Sequence, residues 1–149
     1  MKSLFVPLDH DEIVSRLTAL KPGADRQWGK MTSAQMLGHC VAPLDNATGV
    51  VPRTHSLLGK LLAWLIKRSV FSEKPFRKNG PTDPAYKVTD ERDFERERTR
   101  LFGAIQRFTA AGPDEVARHT HPFFGDLTGE QWGQLMYKHI DHHLQQFGA

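Results

Sequence analysis

Apolar residues recur at helical spacing in several stretches of the chain, with polar residues at the positions between them. Three of these stretches begin with a cap residue that is followed three positions later by Glu or Gln. This capping-box pattern indicates the start of a helix. The three pairs are Asp9 with Glu12, Thr32 with Gln35, and Thr128 with Gln131.

The pattern predicts four main helices. They run from about Asp9 to Leu20, Thr32 to Gly49, Thr89 to Ala111, and Thr128 to Phe147. Pro43 lies inside the second helix, where a proline cannot donate to the carbonyl of His39, so we expect a kink or local opening near His39. Gly112-Pro113 is expected to stop the third helix.

A fifth apolar segment, Ser56 to Phe71, also has the pattern of a helix, and the proline-containing stretch from Ser72 to Lys87 is predicted to be a loop. The apolar residues of the segment nearly encircle it, which is typical of a buried helix. Packing on the rest of the protein, a homodimer contact and a membrane-surface helix are the three alternatives for it. With no convincing strand in the sequence, we predict an all-α fold, a four-helix bundle with one extra helix between helices two and three.

Composition adds few constraints. At 149 residues, with 39% hydrophobic and 25% charged residues, residues 1–149 are predicted to form one globular domain. A net charge of +3 does not indicate a nucleic-acid partner. The single cysteine, Cys40, excludes an internal disulfide. Without an N-terminal signal or a membrane-spanning run, we expect a cytoplasmic protein with no stable membrane insertion.

Two histidines stand out in the final helix. His139 and His143 are four residues apart, so both project from the same side, which Trp132 and Phe147 continue. A core-facing side normally holds apolar residues, and buried imidazoles need polar partners. A metal ion is the partner that best suits neutral imidazoles at this spacing, so we predict a metal site here.

A third ligand must come from elsewhere in the chain. His39 lies at an inward-facing position in the middle of helix two. His142 is an alternative, because a three-residue spacing also places it near His139, and His121 lies in a predicted structured turn from which it can reach the site. The residue after His139 is Ile140, which excludes the His-Glu-x-x-His pattern of zinc proteases. The alternative to a metal site is that these histidines are structural residues, hydrogen-bonded within the core.

Two blocks of the sequence resemble a known family. His139, His142, His143 and Gln146 form a His-x-x-His-His-x-x-Gln pattern, and a second block runs from Trp28-Gly-Lys to Leu-Gly-His39. These blocks, residues 28–40 and 119–148, resemble the DinB/YfiT-like superfamily of metal-dependent enzymes, in a subgroup that ends in a Lys-His-x-Asp-His-His-x-x-Gln-Phe-Gly pattern.

The resemblance implies a four-helix bundle with a divalent metal ion held by His39 from helix two and by His139 and His143 from helix four. Zinc, nickel, iron and manganese all suit this ligand set. Three protein ligands leave positions open for water or substrate. Gln146 is then a candidate to support a ligand or contact substrate, and Trp132 a candidate to line the substrate pocket together with Trp28 and Met36.

Two functions follow from these expectations. Relatives in the superfamily include thiol-dependent transferases and isomerases. The first function is therefore a metal-dependent enzyme that either transfers a low-molecular-weight thiol to a small-molecule substrate or hydrolyses such a substrate. The second is a non-catalytic, stress-related module that binds a metal or another ligand. No catalytic residue is assigned. Cys40 is expected to be buried and inert.

Overall fold

The computed structural model describes residues 1–52, 63, 67–80 and 82–149. Four α-helices and one 3-10 helix have both ends within these residues, and residues 67–70 are also helical. The bounds are α1 Pro7–Ala19, α2 Ser33–Ala47, the 3-10 helix Pro84–Tyr86, α3 Phe94–Val116 and α4 Gly129–Gln146. The predicted all-α class is confirmed for these ranges, which contain no strand.

Helix α1 begins two residues before its predicted start. Pro7 opens it, Val6 occupies the cap position, and no side chain caps it. The carboxylate of Asp9, predicted to be the cap, instead accepts a hydrogen bond from the backbone N–H of Ser3 at 2.9 Å. The predicted capping box is therefore wrong, because the N-terminal arm folds back and takes the carboxylate.

Helices α2 and α4 begin as predicted. In both, the cap hydroxyl accepts from the N–H three residues on, at 3.2 Å for Thr32 and 3.1 Å for Thr128. The glutamine side chain completes each box by accepting from the cap's own N–H at 3.0 Å. Helix α2 continues past His39 and through Pro43 to Ala47. The expected kink or local opening near His39 stays a prediction.

Helix α3 starts later and ends later than predicted. Asp93 caps it, with its carboxylate accepting from Arg96 N–H at 2.8 Å. Gly112, with φ of 78°, breaks the helical path, and the chain resumes helical turns from Pro113 to Val116. The expected stop is thus a break between two helical pieces, made possible by a glycine that tolerates positive φ.

The core lies between the helices, with α2 packed chiefly on α3 and with α4 contacting α1, α2 and α3. Gly38 marks the close approach of α2 to α3, because a Cβ there would lie 3.0 Å from Glu97 Oε2. Glu97 is buried and pairs with Arg92 at 3.2 Å and Arg100 at 2.6 Å. This packing sets the position of α2, and with it that of His39.

Most of the apolar segment 56–71 lies outside the described residues, so its three alternatives stay predictions. In the described part of the chain, no helix is both long enough and apolar enough to cross a membrane. The predicted loop from Ser72 to Lys87 contains the 3-10 helix, which contributes to the site described next.

Candidate metal centre

Three histidines converge where α2 meets α4. His39 comes from α2, and His139 and His143 come from successive turns of α4. One nitrogen from each ring lies within 4.8 Å of the others, and each pair of ring centroids is 4.8 Å apart. His39 and His143 are buried, whereas His139 is partly exposed. The structure therefore brings together the three residues that the sequence singled out.

The orientation of the His39 ring follows from one hydrogen bond. Its Nδ1 lies 2.8 Å from the backbone carbonyl of Tyr86, which can only accept, so Nδ1 carries the proton. The Nε2 of neutral His39 then presents a lone pair toward the cluster. Tyr86 is not predicted from the sequence, because a hydrogen bond to the backbone carbonyl of a short 3-10 helix has no side-chain pattern.

Gln146 orients His143 in the same way. Its Nε2 donates to the backbone carbonyl of Trp28 at 2.7 Å, which fixes the amide so that Oε1 accepts from His143 Nδ1 at 2.8 Å. His143 Nε2 is thereby left unprotonated in the neutral ring. Gly29 permits the approach, because its φ is 78° and a Cβ there would lie 2.5 Å from Gln146 Nε2.

His139 is the least satisfied of the three. Its Nε2 lies 2.9 Å from His39 Nε2, and its buried Nδ1 has no hydrogen-bond partner among the described residues. Buried polar atoms in proteins are usually paired, and an unpaired one calls for a functional explanation. A histidine that served only the core would be expected to have partners for both nitrogens.

Burial keeps all three imidazoles neutral. It lowers the pKa of His39, although the Tyr86 carbonyl opposes the shift. Burial, with repulsion from His39, lowers the pKa of His143 to about 3. The pKa of His139 lies well below its usual range because of burial and the charges that His143 and His39 would carry. At neutral pH each ring can therefore offer a lone pair to a metal ion.

The donor set and spacing fit a transition metal. Imidazole ligands suit zinc, nickel, iron and related ions. Ligand nitrogens about 2.0–2.1 Å from a tetrahedral ion lie roughly 3.3–3.4 Å apart. The Nε2 atoms of His39 and His139, 2.9 Å apart, are near that spacing. Nitrogens of the cluster that are farther apart, up to 4.8 Å, would have to move closer to bind one ion. Within the described residues the cluster contains no carboxylate or thiolate. Three protein ligands leave coordination positions open.

The other predicted residues take different places. Trp132 is fully buried, and its indole N–H donates to the carbonyl of His119 at 3.3 Å. Met36 is also fully buried and lies 3.8 Å from the sulfur of Cys40. A substrate contact by Trp132 stays a prediction. Burial raises the pKa of the Cys40 thiol, which accords with the inert role expected for it.

His142 and His121 are not members of the cluster of three. The His142 ring lies between Trp28 and Phe76, with centroid distances of 5.5 and 5.8 Å. His121 Nδ1 accepts from the N–H groups of Phe123 and Phe124, each at 3.1 Å. His121 thus orders the predicted structured turn.

Comparison with known proteins gives a family but no activity. A family model described as "Protein of unknown function (DUF1569)" matches residues 4–149, so the chain belongs to this family. Neither the curated proteins nor the solved structures contain a match. The family description assigns no function and does not confirm the resemblance to the DinB/YfiT-like superfamily.

Proposed function

We propose that this member of the DUF1569 family is a metalloenzyme in which His39, His139 and His143 hold one divalent cation. The reaction is thiol-dependent transfer to, or hydrolysis of, a small molecule. The DinB/YfiT-like four-helix bundle indicated by the sequence supports the same proposal, since that superfamily uses a three-histidine site of this kind. The single domain and the cytoplasmic location expected from the sequence belong to this proposal.

The observation that carries the proposal is the orientation of the rings. His39 and His143 each use Nδ1 in a hydrogen bond to an acceptor outside the cluster, namely Tyr86 and Gln146. Metal-binding histidines in proteins are commonly held in this manner, with the second nitrogen donating to a carbonyl or amide. In the metal-free protein His139 Nε2–H can donate to the lone pair of His39 Nε2 at 2.9 Å, and a bound metal ion would take the place of that proton.

A reactive centre needs access as well as ligands. His139 is partly exposed as a residue although its Nδ1 is buried, whereas His39 and His143 are buried, so we expect access to the cluster on the His139 side. A divalent ion in such a site lowers the pKa of bound water or thiol and supplies a nucleophile at neutral pH. By accepting hydrogen bonds from Nδ1 of His143 and His39, Gln146 and Tyr86 would keep the Nε2 atoms of both rings unprotonated for the metal.

A non-catalytic metal-binding module is the second candidate. The described residues place no carboxylate in the cluster to act as a base. In a module of this kind, further protein atoms or a permanently bound ligand would fill the coordination positions that an enzyme leaves open. The two candidates therefore differ in whether the metal has an exchangeable position.

The first test is metal analysis of protein purified without an affinity tag and reconstituted with zinc, nickel, iron or manganese. We expect about one ion per chain in the wild type and in His10→Ala, whose histidine lies outside the cluster. His39→Ala and His143→Ala should lose stoichiometric metal. Folded wild-type protein that takes up none of the four ions would overturn the proposal.

The second test separates the enzyme from the module. Cobalt(II) substituted at the site reports its coordination through the visible spectrum. Added 2-mercaptoethanol should change that spectrum if a position is open to a thiol, as the enzyme requires. An unchanged spectrum at saturating thiol would favour the non-catalytic module.

A further inference from the structure

Three partly exposed rings form a patch beside the metal centre. We call Trp28, Phe76 and His142 the aromatic rim. The His142 ring packs between the other two, with centroid distances of 5.5 Å to Trp28 and 5.8 Å to Phe76. All three side chains are partly exposed. They therefore present apolar ring surface that a ligand can contact.

The aromatic rim is physically joined to the cluster. The ring of His142 lies 5.2 Å from that of His143, centroid to centroid. On the other side, the Trp28 carbonyl accepts from Gln146, whose Oε1 accepts from His143. A small molecule on the rim would thus lie next to a proposed metal ligand.

Two lysines, Lys138 and Lys78, lie against rings of the aromatic rim. The Lys138 ammonium group lies 4.8 Å from the Phe76 ring centroid, but it donates to the carbonyls of Val70 and Ser72 at 2.7 and 2.8 Å. These bonds hold Lys138 in place and leave it little freedom to meet a ligand. Lys138 therefore fastens residues 70–72 to α4.

Lys78 is the lysine of the two that can form an ion pair with a ligand. Its ammonium lies 4.3 Å from the Trp28 ring centroid, and the residue is exposed. The nearest acidic group along α4, Asp141, is bound by Arg16 at 2.7 Å and by Gln145 at 2.8 Å. Lys78 is therefore paired with aromatic surface, and no carboxylate among the described residues forms an ion pair with it.

We propose that the aromatic rim binds organic anions with a flat apolar body, in which the negative group pairs with Lys78 and the body contacts Trp28 and His142. The assignment of such anions as the substrate class depends on the function proposed above. Binding at the rim itself requires no metal, because the residues that provide it lie outside the three ligands. The rim would select the substrate and the metal centre would act on it.

The test compares benzoate with its neutral counterpart benzamide, using calorimetric or NMR titration of metal-free protein. We expect benzoate to bind about fivefold more tightly than benzamide, the range of an exposed ion pair. Lys78→Gln should reduce benzoate affinity to that of benzamide, and Trp28→Leu should weaken both ligands. Lys74→Gln, which changes an exposed lysine outside the rim, should leave both affinities unchanged.

The outcomes distinguish this proposal from the metal proposal. Metal-free protein that prefers benzoate through Lys78 supports the rim, even if no metal ever binds and the proposed function fails. The rim proposal is overturned by any of three results: the two ligands bind equally, benzoate does not bind, or the preference for benzoate persists in Lys78→Gln. If benzoate binds only metal-loaded protein and Lys78→Gln does not change its affinity, benzoate is bound to the ion. That result also overturns the rim proposal.

Discussion

A single amide decides the chemistry of His143. The Trp28 carbonyl fixes which end of Gln146 faces the imidazole, and Gln146 in turn fixes which nitrogen of His143 carries the proton. Because the two bonds are linked, a change at Gln146 alters the orientation of a proposed ligand without touching the ion. The sequence predicts that Gln146 supports a ligand or contacts substrate, and its hydrogen bond to His143 is a contact through which it can support that ligand.

Gln146→Ala should therefore weaken metal binding without abolishing it. Loss of a group that orients a ligand histidine typically costs about 10–100-fold in metal affinity. The matched control is Gln145→Ala, which removes the same side chain from an exposed position where it binds Asp141. Competition with a chromophoric chelator measures both affinities. Equal affinities for the two variants would show that Gln146 does not orient a ligand.

The buried imidazoles also predict how stability changes with pH. The pKa of His143 is about 3 in the folded protein, against an ordinary value of 6.5. Between these values the unfolded chain binds a proton that the folded protein does not, so the stability present above pH 6.5 is lost as the pH falls toward 3. His39 and His139 shift in the same direction.

Urea unfolding of metal-free protein from pH 7 down to pH about 4 should show this loss, since each tenfold difference in proton affinity between the two states is worth about 1.4 kcal/mol. His143→Gln, which cannot take up the proton, should show a shallower dependence than the wild type. A wild-type free energy of unfolding that rises as the solution is acidified through this range would contradict the burial described here.

Helix ends show where local sequence is sufficient to define structure. The boxes at Thr32 and Thr128 form because each involves only four successive residues and their own backbone. At α1 the same pattern fails, since Ser3 competes for the carboxylate of Asp9 from outside the helix. A capping box is thus a reliable sign only where no neighbouring segment reaches the same side chain.

Thr128→Ala should lower the free energy of unfolding by about 1 kcal/mol, because it leaves the N–H of Gln131 without its acceptor. The control is Thr18→Ala, an exposed threonine in α1 whose hydroxyl donates to the Val14 carbonyl four residues before it. That change should stay within about 0.5 kcal/mol. Chemical denaturation measures both, and equal losses would show that the cap is not a significant source of stability.

At the scale of the whole molecule, the histidine cluster joins distant parts of the chain. His39 and His139 are 100 residues apart, and the Tyr86 carbonyl comes from a third region between them. Glu97 and its two arginines hold α3 against α2 at Gly38 and so help to position His39. An ion bound by α2 and α4 together would stabilise the folded protein and not the unfolded chain.

Zinc should therefore raise the melting temperature of the wild type, and a chelator should reverse the change. At a free concentration 100 times the dissociation constant, the stabilisation is about 2.7 kcal/mol. For a chain of this size that corresponds to a shift on the order of 5–10 °C. Scanning calorimetry measures it.

His139→Ala should lose the response to zinc while keeping the fold. Magnesium serves as the ion control, since it prefers oxygen ligands and should not act on an all-imidazole site. An equal rise in melting temperature for the wild type and the variant would place the zinc elsewhere on the protein.

Much of the architecture is local and could be predicted from the sequence. The all-α class of the described residues and the starts of α2 and α4 follow from periodicity and caps, which act over a few residues. The one-turn spacing of His139 and His143 is of the same kind. Any helix in that stretch places the two rings on one side.

Tertiary structure decided which histidines meet and how they are oriented. Spacing alone allowed either His142 or His143 to accompany His139, and the rotation of α4 against α2 placed His143 in the cluster and His142 on the aromatic rim. Tyr86, the last residue of the 3-10 helix, and Trp28 orient His39 and His143 through their backbone carbonyls or the side chain they hold. Such contacts depend on how distant parts of the chain pack, and no local pattern of side chains encodes them.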